Sequence, residues 1–175
     1  MNTIYIRNTK NKFSSLVFLI LFLSIASLSN DLCAETLEVE EKITLPASSK
    51  AVWALVGGFH ALDRWHPDVA TSTMIGTGKQ AGDVRVLTLN NNETIVEKLD
   101  SYSEKTMSLQ YRILESPLPI ANYAASLSVI SLENNKTEVI WRSSFIAVGV
   151  SGDEAKKIIS GIYSTGFQSL NELYK

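Results

Sequence analysis

Apolar positions from Thr36 to Leu45 alternate loosely, with Leu37 and Val39 and then Ile43 and Leu45 on one side, and predict a strand that Pro46 stops. Ser48 then caps a helix carrying Val52, Leu55, Val56 and Phe59, the stripe of one buried face. Gly57 and Gly58 end or bend it, and His60 falls at its exposed end. A second short helical segment runs to Trp65 and is closed by His66-Pro67, because the residue before proline is pushed out of the helical region. From Asp68 to Val148 the chain reads as strands joined by polar turns. The turn signals are Gly76-Thr77-Gly78, Asn90-Asn91-Asn92, Ser103-Glu104, Ser116-Pro117-Leu118-Pro119 and Glu133-Asn134-Asn135. Links this short make neighbouring strands antiparallel. Ser151 and Glu154 form a capping box for a long last helix, whose stripe is Ala155, Ile158, Ile159, Ile162, Gly166, Leu170 and Leu173. The fold class expected is α+β: a curved antiparallel sheet of about seven strands wrapped around a long C-terminal helix, with two short helices after the first strand.

Strand alternation decides which side chains face that helix. Ile95, Glu97 and Leu99 share a face, as do Arg85, Leu87 and Leu89. With Asn90-Asn91-Asn92 as a three-residue turn and Asn92 left-handed, Leu89 pairs with Glu93, Leu87 with Ile95, and Arg85 with Glu97. That register sets an arginine and a glutamate on an apolar face, where a buried ion pair contributes little net stability. Two readings are open. The pair is a polar anchor inside an apolar ligand pocket, or it is a structural pair at the mouth or on a solvated face. Met107, Leu109, Tyr111 and Ile113 share a face, as do Tyr123, Ala125, Leu127 and Val129, and Val139, Trp141 and Phe145. Tyrosine and tryptophan bring polar tips that need partners when buried, so Tyr111, Tyr123 and Trp141 are candidates to line a pocket. Ala125, Gly161 and Gly166 are small residues on or near facing surfaces; they leave room for a cavity or allow close packing. Trp65 and His66 are further candidates, His66 as a satisfied structural histidine or as an acid/base.

The chain before Glu35 has a different character. Arg7, Lys10 and Lys12 form a basic start, and Leu16 to Leu28 is apolar apart from Ser24 and Ser27. This run falls short of the about 20 residues that span a membrane. A basic head, a short apolar middle and small residues after it describe a secretory signal peptide over 1–34, cleaved after Ala34 or after Ser29, with an uncleaved N-terminal anchor as the alternative. Residues 35–175 are then one domain, periplasmic or secreted. Cleavage after Ala34 removes three basic residues and one acidic residue from a chain of net charge −2, leaving −4. It also removes Cys33, the single cysteine, and with it thiol chemistry. Two histidines and no cysteine leave little for a metal site, so neither metal nor cofactor is expected. An acidic chain without a basic stripe excludes a nucleic-acid partner. No nucleophile elbow, phosphate loop or dinucleotide fingerprint is present.

The element order, together with Trp53, Phe59, Trp65-His66-Pro67, Gly82 and Arg85, Glu97-x-Leu99-Asp100, Ser116-Pro117-Leu118-Pro119, Asn122-Tyr123 and Gly166-Phe167, resembles the START-like polyketide cyclase/dehydrase superfamily, the helix-grip (SRPBCC) fold. The resemblance covers residues 35–175. It implies a deep apolar cavity between sheet and terminal helix, with Glu97 as the leading pocket residue, Pro119 in the loop where plant hormone receptors carry a latch, and Asn122, Tyr123 and Ile162 along the wall. The Asn90–Asn92 hairpin is much shorter than the receptor gate. The function expected is a monomeric domain binding a small apolar or amphipathic molecule, with Arg85 and Glu97 orienting its polar end. Two alternatives stand beside it: a cyclase or dehydratase using Glu97 or His66 as acid/base with Arg85 stabilising an enolate, and a periplasmic accessory protein of an oxidoreductase.

Overall fold

The computed structural model describes residues 35–175. The expected signal peptide over 1–34 and both cleavage positions lie outside the described residues. The described chain forms β1 (Leu37–Leu45), α1 (Ser49–Val56), a short 3₁₀ turn (Leu62–Arg64), β2 (Val69–Ile75), β3 (Val84–Leu89), β4 (Thr94–Ser103), β5 (Ser108–Glu115), β6 (Ile120–Ser131), β7 (Thr137–Ala147) and α2 (Gly152–Leu173). The strands make one seven-stranded sheet in the order β1-β7-β6-β5-β4-β3-β2. Every neighbouring pair is antiparallel. This is the α+β arrangement that the apolar pattern predicts, and it is the helix-grip fold that the resemblance implies. Only the link from β1 to β2 must cross from one edge of the sheet to the other, and α1 and the 3₁₀ turn occupy that link.

Both helix starts follow from side-chain caps. The Ala51 N–H donates to Ser48 Oγ at 3.3 Å, and the Glu154 N–H donates to Ser151 Oγ at 3.2 Å. Helix α1 stops at Gly57, where a Cβ would sit 2.4 Å from the Trp53 ring, so only glycine fits. Phe59 therefore lies past the helix rather than on its stripe. It is still fully buried, and its carbonyl is left available to another partner. The buried face of α2 also differs in detail from the expected stripe. Ala155, Ile159, Gly166 and Leu170 are buried as expected, Tyr163 and Phe167 join them, and Leu173, the last residue of the helix, is 57% exposed. Gly166 serves close packing: a Cβ there would meet the His66 ring at 2.8 Å and the Trp65 ring at 2.9 Å. Nothing comparable approaches Gly161, which is exposed.

The β3–β4 hairpin has the three-residue register. Asn92 has φ 67°, the Leu89 N–H donates to the Glu93 carbonyl at 2.8 Å, and Arg85 stands opposite Glu97 with Leu87 opposite Ile95. The pleat then turns Arg85, Leu87, Ile95, Glu97 and Leu99 towards α2, where all five are buried.

Candidate functional site

Between the sheet and the first half of α2 lies a cavity of about 430 Å³. Leu87 and Ile95 come from β3 and β4, Tyr111 and Ile113 from β5, Tyr123 from β6, Trp141 from β7, and Ile158, Ile159, Ile162 and Tyr163 from α2. Leu118, in the loop before β6, closes one side. Asp68, Asn90, Asn91 and Glu93 stand where it meets solvent. The volume falls within the usual range for small-molecule sites, about 300–1,000 Å³, and the few polar groups among apolar walls fit the usual make-up.

Among the described residues, Glu97 is the one acidic side chain in the deep part of this wall, and it is 4% exposed. Its Oε2 accepts from Arg85 Nε at 2.5 Å. The same guanidinium donates from a terminal nitrogen to the Phe59 carbonyl at 2.5 Å and lies over the Phe59 and Tyr111 rings, 4.3 and 5.1 Å from their centroids. Arg85 thus stands behind Glu97 rather than on the wall, and it fixes the carboxylate from the back. Oε1 of Glu97 accepts no hydrogen bond from the described residues. Burial pushes the Glu97 carboxyl above its usual range, and the Arg85 charge pulls it only partway back.

Four aromatic side chains make a second polar cluster. Tyr123 and Tyr163 share a hydroxyl–hydroxyl hydrogen bond of 2.5 Å, and Trp141 Nε1 donates to the Tyr111 hydroxyl at 2.8 Å. Trp141 also stacks on Tyr163, with ring centroids 4.2 Å apart and planes at 13°. Burial raises the pKa of all three tyrosines, so they are neutral phenols. Tyr163 is not among the residues that the sequence pattern above singles out. Its position four residues after Ile159 and three before Gly166 places it on the same helical stripe, which is the signal it leaves in the sequence.

His66 lines the cavity, yet both ring nitrogens are engaged. Nε2–H donates to the Ile162 carbonyl at 2.9 Å, and Nδ1 accepts from the Asp68 N–H at 3.3 Å. This geometry selects the neutral Nε2–H tautomer, and neither nitrogen is free to take a proton from a ligand. Burial is the main reason that its pKa lies below the ordinary 6.5, with the Ile162 hydrogen bond opposing it. Below that pH the unfolded chain takes up a proton that the folded chain refuses. The stability contributed by His66 is therefore complete above pH 6.5 and is lost as pH falls through that value. Raised Glu97 contributes a slope of opposite sign, and it does so with or without His66. The difference in urea stability between the natural protein and His66→Gln is thus expected to shrink as pH falls from about 7.5 to 5. Parallel profiles for the two proteins would show that His66 ionises freely in the fold.

The other expected lining residues lie elsewhere. Trp65 is buried behind the wall, 5.4 Å edge-on from Trp141, where the close approach of Gly166 draws it under α2. The carbonyl of Pro119 accepts from the Val148 N–H at 2.9 Å, which holds the loop to the end of β7 and leaves Leu118 as its cavity residue. Asn122 sits in a bulge of β6 with φ 55°. It alternates with the buried Tyr123 and is exposed, beside Asp100 and Arg112 on the opposite face of the sheet. Among the described residues, no group of three or more histidine, cysteine, aspartate and glutamate side chains is placed to hold a metal ion.

Comparison with known proteins places this chain in a family. The family model described as "Polyketide cyclase / dehydrase and lipid transport" matches residues 36–175. The chain belongs to that family. Among solved structures of similar fold, XoxI from Bacillus cereus has a TM-score of 0.74 and 31% identity, over 78% of this chain and 94% of that one. A putative uncharacterised protein from Bacillus thuringiensis has a TM-score of 0.74 and 32% identity, over 79% and 98%. The Zhui aromatase/cyclase from Streptomyces sp. R1128 shares the polyketide cyclase/dehydrase fold at a TM-score of 0.64 over 79% and 90%, and at 14% identity the likeness is one of fold alone. No curated protein matches the chain.

Proposed function

We propose that this protein is an exported, monomeric domain of the family that binds a small apolar or amphipathic molecule between the sheet and α2. The cavity of about 430 Å³ carries the reading, because its walls are apolar and its one deep carboxylate is held from behind and open in front. Ile162, Tyr111, Tyr123, Tyr163 and Trp141 form the wall around the body of the ligand, and Glu97 meets its polar end. Export rests on the basic start and short apolar run before Glu35, which direct the domain to the periplasm or the outside of the cell. Binding is favoured over acid–base turnover because the second proton-transfer candidate, His66, has both nitrogens occupied.

Native mass spectrometry of the protein prepared gently from its own host envelope tests this reading. A monomer beginning near Glu35, carrying a discrete extra mass that is lost on denaturation, is expected. The same preparation of Ile162→Trp, which fills the cavity, is expected without it. A bare mass for the natural protein, or an extra mass retained by Ile162→Trp, would count against the cavity as the binding site.

A further inference from the structure

Resting on that binding reading, the charges around the cavity go further and name the chemical class of its ligand. The carboxylates of Asp68, Glu93 and Glu97 line it, and among the described residues no lysine or arginine does. Asp68 and Glu93 are exposed at the mouth, where water screens them, whereas Glu97 is buried at depth. Arg85 supplies the opposite charge, but from behind: Nε is spent on Glu97 Oε2 and one terminal nitrogen on the Phe59 carbonyl. The surface that a ligand head meets at depth is therefore the unpartnered Oε1, an acceptor, on an ion pair whose formal charges cancel.

Each kind of head group fares differently there. A carboxylate or phosphate would bring a full negative charge into an apolar cavity, against Oε1 and with no free cation in front of it; such burial is costly without a partner. An ammonium would satisfy Oε1 but would lose its hydration and would face the Arg85 charge just behind Glu97. An uncharged hydroxyl donates one hydrogen bond to Oε1, a charge-assisted bond stronger than a neutral one, and is cheap to desolvate. It also has two lone pairs of its own, which suit the phenol cluster of Tyr123 and Tyr163 close by. We infer that the cavity is selective for an uncharged, hydroxyl-bearing apolar molecule, an alcohol or a phenol, and rejects anions of the same size and shape.

Isothermal titration of the natural protein at pH 7.5 with three probes of one shape, (2-naphthyl)methanol, (2-naphthyl)methylammonium and 2-naphthoate, tests the inference without any variant. The alcohol is expected to bind tightest and the carboxylate about tenfold or more weaker. A carboxylate that matches the alcohol, or an ammonium that exceeds it, overturns the class while leaving the cavity a binding site. Binding of none of the three overturns the class as well, and the binding reading falls with it only if the native mass is also bare. Glu97→Gln then assigns the selectivity. The glutamine keeps an acceptor for Arg85, offers an N–H into the cavity and leaves the arginine charge uncompensated. The carboxylate is expected to gain on the alcohol by about tenfold. An unchanged ratio in a folded Glu97→Gln would remove Glu97 as the discriminating group and overturn the inference.

Discussion

Glu97→Leu alone is expected to destabilise the protein by about 3–5 kcal/mol, the usual cost of removing one partner from a buried ion pair. Arg85 is 4% exposed and remains charged at every accessible pH, so its guanidinium would be left with only the Phe59 carbonyl and two ring faces. Arg85→Met is expected to cost less, and its cost depends on pH. The orphaned Glu97 escapes by taking up a proton, a step that burial already favours. The penalty is then greatest at neutral pH and fades as pH falls towards the ordinary carboxylate range, where the unfolded chain binds the same proton. Arg85→Met combined with Glu97→Leu leaves no charge buried and is expected to return to the natural stability or exceed it. Urea unfolding followed by far-ultraviolet circular dichroism reads all three proteins. A double variant as unstable as the sum of the two singles would show that the residues do not act as a pair.

Trp141→Ala is expected to cost about 3–5 kcal/mol, as truncation of a large buried aromatic does. Trp141 is 3% exposed, stacks on Tyr163, meets Trp65 edge-on and satisfies the Tyr111 hydroxyl. Its loss opens a void continuous with the existing cavity. The surroundings are already held apart there and collapse little, so the cost lies towards the upper end. Trp141→Phe keeps a ring against Tyr163 and loses the N–H, so about 1 kcal/mol is expected from the hydrogen bond. Thermal and urea unfolding of both variants check the order. A Trp141→Ala protein within about 1 kcal/mol of the natural one would show that this wall is loosely packed and not fixed.

Much of this arrangement was legible before any coordinates. Period-two alternation located the strands and their inward faces, and the spacing of polar turns made them antiparallel. The three asparagines after Leu89 decided whether Arg85 and Glu97 share a face, because a two-residue turn would have placed them on opposite sides. Tyr111, Tyr123 and Trp141 were found by the same rule, and Ile162 by the helical one. Tyr163 obeys the helical rule too, but a tyrosine beside Ile162 is equally at home on the polar border of a stripe, so spacing alone does not single it out. Asn122 came to the wall only through the resemblance; plain alternation with the inward Tyr123 already puts it on the opposite face, where the structure has it.

What the sequence determined by itself was local and periodic: the class of fold, the order of its elements, the caps at Ser48 and Ser151, the hairpin register, and the face on which each strand residue lies. These follow from interactions between residues a few positions apart, or from a repeat that matches a backbone geometry. Only the tertiary structure decided that Arg85 stands behind Glu97, that one carboxylate oxygen is left open to the cavity, that His66 is held between the Asp68 N–H and the Ile162 carbonyl, and that Gly166 is the floor under Trp65 and His66 rather than part of an opening. These depend on which atoms from distant parts of the chain meet. Side-chain depth, hydrogen-bond partners and free volume are set by the packing of all elements at once, and a one-dimensional pattern carries no coordinate for them.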